Sequence, residues 1–358
     1  MPQKKYSQWQ GMLALIKASL KSTAKSPSSI AFTIAFPLVF IFGFNFIGQK
    51  DAAPVPVVLD HAISKAWEEA LQASPLIDVQ VIDDKHDLEE AMIKGIVLAH
   101  VKEKDDQDGK RFVIASSPQA KGEIEQLEMV LENIYFKNKH VDYEALKIEK
   151  EALQLTSYSQ VDFILPGQLG FSLLAASIFG TAFVFYSLRS DLVLKRFFAS
   201  PIKRQNILLS EAISRMFFQL MGALFIILIG YYFLGFHLKN GIWTLIQMMV
   251  LSAISLIVFM SFGFIISGVA KSSALIPPLS NILVLPQFIL ADTFIPIEMF
   301  PKWLEIISRV LPLTNVNIAF RKIAFEGIPI WSLGLEMSIV LAWGVVGYVA
   351  ATKLFKWE

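Results

Sequence analysis

The chain has 358 residues, of which 54% are hydrophobic and 18% charged, and its mean hydropathy is +0.52. An ordinary globular protein carries about 25% charged residues, so this composition excludes a typical soluble enzyme, a disordered chain and, with no cysteine, a disulfide scaffold. The net charge of +1 conceals a partition. Residues 50–160 hold 22 acidic and 13 basic side chains, and the other 247 residues hold 9 acidic and 19 basic. We therefore expect a hydrophobic, basic body with an acidic, soluble insert.

Residues 1–25 are predicted to form an amphipathic helix on the cytoplasmic surface of a membrane. Apolar residues recur there at helical spacing, namely Trp9, Met12, Leu13, Ile16 and Leu20. Lys17 and Lys21 fall on another face, as in helices that lie in the membrane interface. An ordinary packed helix is the alternative.

Six transmembrane spans are predicted from the intervals between charged residues, since about 20 apolar residues cross the hydrocarbon core. The intervals are 26–49, 163–188, 216–238, 240–270, 272–291 and about 329–352, the last interrupted only by Glu336. A cleaved signal peptide is an alternative for residues 28–53. The 25 residues before the first interval disfavour it, because the basic region of a signal peptide is short. The sequence predicts an α-helical polytopic membrane protein with one span at 26–49 and five within 163–352.

The distribution of Lys and Arg predicts the orientation of these spans. With the N-terminus inside, the cytoplasmic segments hold 14 Lys or Arg residues and the short outer segments hold five. Both termini are therefore predicted to be cytoplasmic, and the insert, residues 50–160, to be extracytoplasmic.

The insert is predicted to be a small α/β domain. Strands are indicated at 55–60, 77–82, 96–101 and 111–116, and helices at 64–73, 88–95 and about 121–155. Asp108-Gly109 is a strong hairpin-turn signal. The DDQDG run around it lacks the closing Glu and alternating acids of a calcium loop, so we interpret it as the turn. The order β-α-β-α-β-β-α follows.

No catalytic motif is found in the sequence. The G-x-x-x-x-G-K-[ST] loop that binds nucleotide phosphates is absent, and so are a G-x-S-x-G elbow and a dinucleotide fingerprint. The centres of the predicted spans carry no charge, which disfavours coupling to an ion gradient. Uphill transport would therefore need ATP hydrolysis on another chain, and we expect no cofactor, metal or nucleic acid on this one.

Two segments differ from a generic membrane protein. The first is a basic cytoplasmic loop at 189–211, in which we single out Arg189, Asp191, Lys195, Arg196, Pro201, Lys203 and Arg204. The second, at 293–314, has prolines on both sides of a helix too short to span, which suggests a hairpin that dips into the outer leaflet. Its residues of interest, with the acid before it, are Asp292, Phe294, Pro296, Glu298, Pro301, Trp303 and Pro312.

These segments resemble the permease subunits of type-2 ABC exporters, the drug- and lipid-export family of bacteria, over the whole chain. The family's outer pattern, Phe-x-Pro-x-Glu-x-x-Pro-x-Trp-Leu followed by Leu-Pro-Leu-Thr, is matched at 294–304 and 311–314. Two departures stand out. The Glu-Arg opening of the inner loop is here Leu188-Arg189, with the acid displaced to Asp191, and a small residue, often Gly, before the outer pattern is replaced by Asp292-Thr293.

The resemblance implies two permeases, identical or paralogous, in the bacterial cytoplasmic membrane with two cytoplasmic ATPase subunits that bind ATP and Mg²⁺. The inner loop would form the coupling helix at the ATPase, and the surface helix would brace it. A hydrophobic or amphipathic substrate, such as a drug, antibiotic or lipid, would be moved outward.

Several alternatives stay open. The protein is either an exporter or an ABC-coupled mechanical or sensory protein whose external domain binds a peptide or partner. Asp292 is either a gate charge or a simple interface acid, and Glu298 and Trp303 are expected to hold the hairpin fold rather than bind substrate. Arg189, Lys195 and Arg196 contact the ATPase, anchor the loop at the membrane, or do both.

Overall fold

The structure is a computed structural model that describes residues 7–25, 36–47, 54–60, 63–82, 85–93, 95–106, 109–116, 120–137, 147–152, 160–190 and 204–354. The chain divides into two compact units. One is Phe46–Gln160, and the other combines Met1–Asn45 with Val161–Glu358. Each has a hydrophobic core of its own.

Two helices precede the first strand. Helix α1 (Gln8–Ala24) begins after Ser7, whose Oγ accepts the Gln10 N–H at 3.5 Å as an N-cap. Helix α2 (Phe36–Ile47) is uncharged and lies within the span predicted at 26–49. The rest of that predicted span is outside the described residues.

The unit Phe46–Gln160 is built on a five-stranded sheet in the order β2-β1-β3-β4-β5. Its strands are β1 (Val55–Leu59), β2 (Ile77–Gln80), β3 (Ala99–Asp106), β4 (Gly109–Ser116) and β5 (Lys147–Ala152). Only the β3–β4 pair is antiparallel, with Asp106 opposite Gly109 at the predicted hairpin turn. Its helices are α3 (Lys65–Gln72), α4 (Lys85–Ile93) and α5 (Lys121–Lys137). The sheet carries a core on each face, one around Phe112 and Leu71 and a smaller one around Val58 and Met92.

One element of this unit differs from the prediction. The helix expected over about 121–155 ends at Lys137, and residues 147–152 form β5, which pairs in parallel with β4. The Lys-Ile-Glu-Lys-Glu-Ala sequence of β5 favours a helix by intrinsic propensity. Its charges suit an edge strand, and pairing with β4 overrides the local preference. The order of elements in this unit is therefore β-α-β-α-β-β-α-β, with one strand more than predicted.

The other unit is entirely helical in the residues described after α2. Its helices are α6 (Gln160–Ser190), α7 (Arg204–Phe233), α8 (Ile242–Val269), α9 (Ile276–Leu290), α10 (Lys302–Val310), α11 (Pro312–Arg321) and α12 (Gly334–Leu354). Within the described residues, five helices are long and apolar enough to cross a membrane, namely α6, α7, α8, α9 with the turn before it, and α12. These fall on the five later predicted intervals. Helix α7 begins twelve residues earlier than the interval 216–238 because its first turns are polar.

Glycine allows the long helices to approach closely. A Cβ added to Gly263 of α8 would lie 2.6 Å from Cβ of Thr181 on α6, and one added to Gly347 of α12 would lie 2.0 Å from Oγ of Ser261 on α8. Small residues at helix contacts are typical of membrane proteins, where close packing replaces the hydrophobic effect as the driving force.

Candidate functional site

Helices α10 and α11 form a short hairpin that runs into the helical unit. Along α11, Leu313 and Asn317 lie against Gly170 of α6, and Arg321 lies against Phe163. Helix α11 is therefore antiparallel to α6 and begins ten residues into it, about 15 Å along its axis. On the other side, Trp343 Nε1 of α12 donates to the Val310 carbonyl at 2.8 Å. Trp343 is nine residues into α12, which corresponds to about 14 Å along the helix axis. The turn therefore lies about a third of the way along α6 and just under halfway along α12.

A buried ion pair connects the ends of α9 and α11. The Arg321 Nη1 group donates to Asp292 Oδ2, and the side chains are 6% and 8% exposed. Arg321 also donates to the Phe163 carbonyl through Nε at 3.1 Å and Nη2 at 3.0 Å, and its guanidinium carbon lies 3.7 Å from the centre of the Phe163 ring. The other Asp292 oxygen accepts the Ile297 N–H at 3.1 Å. One arginine thus holds α6, the segment after α9 and α11 together.

The backbone conformation of Asp292 bears on the second departure from the family pattern, in which Asp292-Thr293 replaces a small residue that is often glycine. Its φ of 57° makes it the one non-glycine residue with positive φ among the described residues. A glycine adopts that left-handed conformation without cost, and Asp is one of the few other residues that tolerate it. The sequence left open whether Asp292 is a gate charge or an interface acid. The structure shows a buried carboxylate paired with Arg321, and a role of Asp292 in gating stays a prediction.

Side chains satisfy the backbone carbonyls at both helix breaks of the hairpin. The bonds run from Ser308 to Leu290 O, from Asn317 to Ala291 O, from Arg321 to Asp292 O, from Asn315 to Arg309 O and Leu311 O, and from Trp343 to Val310 O. The Gln287 Oε1 atom accepts the Leu313 N–H at 3.3 Å. In hydrocarbon an unsatisfied carbonyl costs several kcal/mol, so these bonds allow non-helical backbone at this depth.

The remaining residues predicted for the hairpin have different positions. Phe294 packs edge-on against Phe288, with ring centres 5.0 Å apart, and Pro312 is buried at the start of α11. Pro296 and Pro301 precede a short 3₁₀ turn and α10, and Glu298 is exposed in that turn. Trp303 was expected to hold the hairpin fold, and this stays a prediction; its side chain is 65% exposed. It belongs to an exposed apolar stripe on α10 with Ile306, Ile307 and Val310.

At the opposite ends of the spans, Arg189 lies in the last turn of α6. Its Nη1 and Nη2 groups donate to the carbonyls of Gly268 at 3.3 Å and Ala270 at 2.8 Å, so it caps the end of α8. Arg204 begins α7. The predicted loop residues Asp191, Lys195, Arg196, Pro201 and Lys203 lie outside the described residues.

Helix α1 packs along the first turns of α7, which the sequence does not indicate. Asn206 donates to Gln8 Oε1 at 3.0 Å, Ser210 to the Met12 carbonyl at 3.3 Å and Ser214 to the Ile16 carbonyl at 3.1 Å. The constant spacing of these pairs makes the two helices parallel. Trp9 and Leu13 stay exposed, so α1 has one face on α7 and one apolar face directed away from it.

A second ion pair lies at this junction. Arg215 Nε donates to Glu211 Oε1 at 3.0 Å, and Ser19 of α1 donates to Glu211 Oε2 at 2.6 Å. A Cβ on Gly180 of α6 would lie 3.0 Å from Arg215 Nη1. The pair therefore joins α1, α6 and α7.

Sequence reasoning missed two partners. Arg321 was counted only as an outer charge, although its position beside Lys322 within the otherwise uncharged VNIAFRKIAF run was a signal for a buried partner. The Asp162 carboxylate accepts the backbone N–H of His237 at 2.8 Å and contacts Nδ1 of the same histidine, also at 2.8 Å. These contacts connect the start of α6 to the segment after α7. Only the fold brings these pairs together.

The described helices define a polytopic helical membrane protein in which a short helical hairpin lies between the spanning helices α9 and α12. The sequence model of the ABC-2 family of transporter proteins matches residues 27–353. The chain therefore belongs to the ABC-2 transporter family, as its resemblance suggested, and is a membrane-embedded permease of an ABC transporter. Permeases of this family work with an ABC ATPase subunit. No individual curated protein matches the chain.

Proposed function

We propose that the chain is the permease subunit of an ATP-driven exporter that moves a hydrophobic or amphipathic substrate out of the cytoplasm or the inner leaflet. Two permeases, identical or paralogous, pair with two cytoplasmic ATPase subunits, which carry ATP and Mg²⁺. This chain catalyses no reaction and binds no cofactor. Its membrane is the bacterial cytoplasmic membrane.

The observation that carries the proposal is the depth and bonding of the hairpin. Its turn lies about 15 Å along α6, and the carbonyls at its breaks are satisfied from side chains. Interrupted helices at membrane depth occur where they are covered by protein or border a cavity. A hairpin anchored by Asp292 and Arg321 while α10 exposes an apolar stripe fits the wall or cap of a path for an apolar substrate.

The proposed topology has six spans, the first at 26–49, with the α/β unit outside and both termini in the cytoplasm. The Lys and Arg bias supports it. Since the chain has no cysteine, single-cysteine variants test it directly. In intact cells, Lys302→Cys should react with a membrane-impermeant maleimide and Lys353→Cys should react only after permeabilisation. The reverse pattern would overturn the orientation.

Assembly is tested by affinity purification of the chain from its native membrane, followed by mass spectrometry. A near-stoichiometric soluble protein with a P-loop is expected, and a second permease of similar topology would show a heterodimer. Recovery without an ATPase, in a detergent that preserves known ABC complexes, would contradict the proposal.

Transport is tested with the purified complex in proteoliposomes. ATP-dependent movement of a fluorescent lipophilic dye or labelled lipid is expected, and an ATPase variant lacking its catalytic glutamate is the control. Labelling of Ile306→Cys on the α10 stripe should change between ATP-free and vanadate-trapped states, whereas labelling of Val81→Cys in the α/β unit should not. ATP-dependent change at Ile306 without movement of any hydrophobic cargo would favour the mechanical alternative.

A further inference from the structure

A cavity of about 510 Å³ opens at the ends of three spanning helices. It is lined by Arg189 at the end of α6, by Gly268, Val269, Ala270 and Lys271 at the end of α8, and by Lys353 and Leu354 at the end of α12. Three helices that end together mark the level at which the spans leave the hydrocarbon. The cavity therefore lies in the membrane–water interface.

The lining combines positive charge with apolar surface. Arg189, Lys271 and Lys353 contribute three cations, and none of the described residues that line the cavity is acidic. The hydrogen bonds of Arg189 go to the carbonyls of Gly268 and Ala270, and its guanidinium carbon lies 5.5 Å from the centre of the Tyr186 ring, so none of these contacts is with an acidic side chain. Two further lining residues, Val269 and Leu354, are 49% and 42% exposed and apolar.

We propose that this cavity binds the phosphate headgroup of an anionic phospholipid of the cytoplasmic leaflet. Basic pockets between spanning helices on the cytoplasmic side are suited to such headgroups, and each Lys or Arg near the surface contributes about 1 kcal/mol to anionic lipid binding. A free phosphate would use only the cations. A phospholipid would also cover the apolar side chains of Val269 and Leu354 with its glycerol and first methylene groups. The lining therefore favours a phospholipid over free phosphate. The site lies apart from the hairpin and goes beyond the proposed export function, and its assignment to the cytoplasmic leaflet rests on the topology proposed above.

The site has a consequence for the packing of the spans. Arg189 ties α6 to the end of α8, and Lys353 belongs to α12, so one bound headgroup contacts three helices. Lipid binding should therefore stabilise the folded chain by mass action, and the stabilisation should rise with the logarithm of the lipid concentration once that concentration exceeds the Kd.

The test uses the full chain purified in a neutral detergent, without the ATPase. Native mass spectrometry and thermal unfolding are followed while phosphatidylglycerol, phosphatidylcholine or inorganic phosphate is added. Phosphatidylglycerol should be retained and should raise the unfolding temperature more than phosphatidylcholine. The double variant Lys271→Gln/Lys353→Gln should bind phosphatidylglycerol more weakly, by about fivefold for each lysine. Arg189 is left unchanged because it caps α8.

Two controls separate this site from general effects of charge. Lys239→Gln/Lys302→Gln makes the same charge change at exposed lysines near the other ends of the spans and should leave retention unchanged. Lys271→Arg/Lys353→Arg keeps the charge and should restore it, which excludes misfolding as the cause.

Other outcomes would overturn the proposal. Equal retention by the wild type and the glutamine double variant places the lipid elsewhere. Equal stabilisation by inorganic phosphate and phosphatidylglycerol makes the cavity a simple anion site. If the glutamine variant keeps its lipid but loses a co-purified ATPase, the cavity is a protein contact. The lipid measurements do not involve ATPase or transport, so their failure leaves the export proposal standing.

Discussion

The two units of this chain place their polar groups in opposite ways. Of the buried polar and charged side chains that the structure describes, Ser116 is the only one in the α/β unit, and the others lie in the helical unit. The α/β unit has an apolar core around Leu71 and Phe112, and none of its charged side chains that the structure describes is buried. The helical unit exposes apolar side chains, such as Phe217, Ile282 and Val345, and encloses polar ones.

The difference follows from the solvent of each unit. In water, burial of apolar surface drives folding at about 25 cal/mol per Å², so a soluble unit needs few internal polar contacts. In lipid this driving force between helices is absent, and association depends on close packing and on interhelical hydrogen bonds. The helical unit therefore adds buried polar contacts between its segments, such as the Asp292–Arg321 and Asp162–His237 pairs, to its apolar core.

The largest expected effect comes from breaking the Asp292–Arg321 pair. Arg321→Ala leaves a buried carboxylate without its cation, and removal of one partner of a buried pair costs about 3–5 kcal/mol. We expect a large loss of folded protein in detergent, measured by thermal unfolding with size-exclusion chromatography. The double variant Asp292→Asn/Arg321→Met removes both charges and should recover much of the stability. If the single variant is as stable as the wild type, the pair does not hold the hairpin.

A core truncation should affect the α/β unit in the ordinary way of soluble proteins. Leu71 is fully buried, and replacement of a buried leucine by alanine costs about 2–5 kcal/mol. Hydrogen exchange with mass spectrometry should show faster exchange in β1 and α3 and unchanged exchange in α8. Faster exchange in α8 as well would show that the two units do not fold independently.

Close packing is tested by a single methyl group. Gly170→Ala places a Cβ 2.1 Å from Asn317 Oδ1 and 3.1 Å from Leu313, and overpacking of this kind costs about 1–3 kcal/mol. The expected result is a lower unfolding temperature. Gly334→Ala is the matched control, because nothing lies within 4 Å of its added Cβ. Equal melting of the two variants would contradict the tight contact between α6 and α11.

The smallest effect concerns pH and the α/β unit. Burial lowers the pKa of His100, Lys102 lowers it further, and Asp60, 3.7 Å away, opposes them. A histidine with a lowered pKa in the folded state contributes stability above its ordinary value of 6.5 that is lost as pH falls below it. The exchange-measured stability of β3 should therefore decline below that pH, and His100→Gln should flatten the decline. If the stability of β3 declines with pH in His100→Gln as it does in the wild type, groups other than His100 cause the decline.

Much of the fold was predictable because it depends on local patterns. Charge-free intervals located the five described spanning helices, and the Asp-Gly turn located the β3–β4 hairpin. Strand β5 was missed because its Lys and Glu residues favour a helix until β4 offers a partner. The sequence left a packed helix open for α1 but did not identify α7 as its partner, because the bonds from Ser210 and Ser214 go to backbone carbonyls, which carry no sequence signal.

In the candidate site, the sequence predicted where the backbone breaks but did not predict which side chains meet there. Prolines 296, 301 and 312 showed where the backbone breaks, because proline has no amide hydrogen. They did not show how deep the hairpin runs or which arginine meets Asp292.

The sequence by itself determined the membrane class, the positions of the spans and the acidic insert, since hydropathy and charge act residue by residue. Tertiary structure alone decided which polar groups meet. Asp292 and Arg321 are 29 residues apart, and Phe163 is 158 from Arg321. Such contacts depend on helix packing, where a few ångströms decide whether a buried charge is paired.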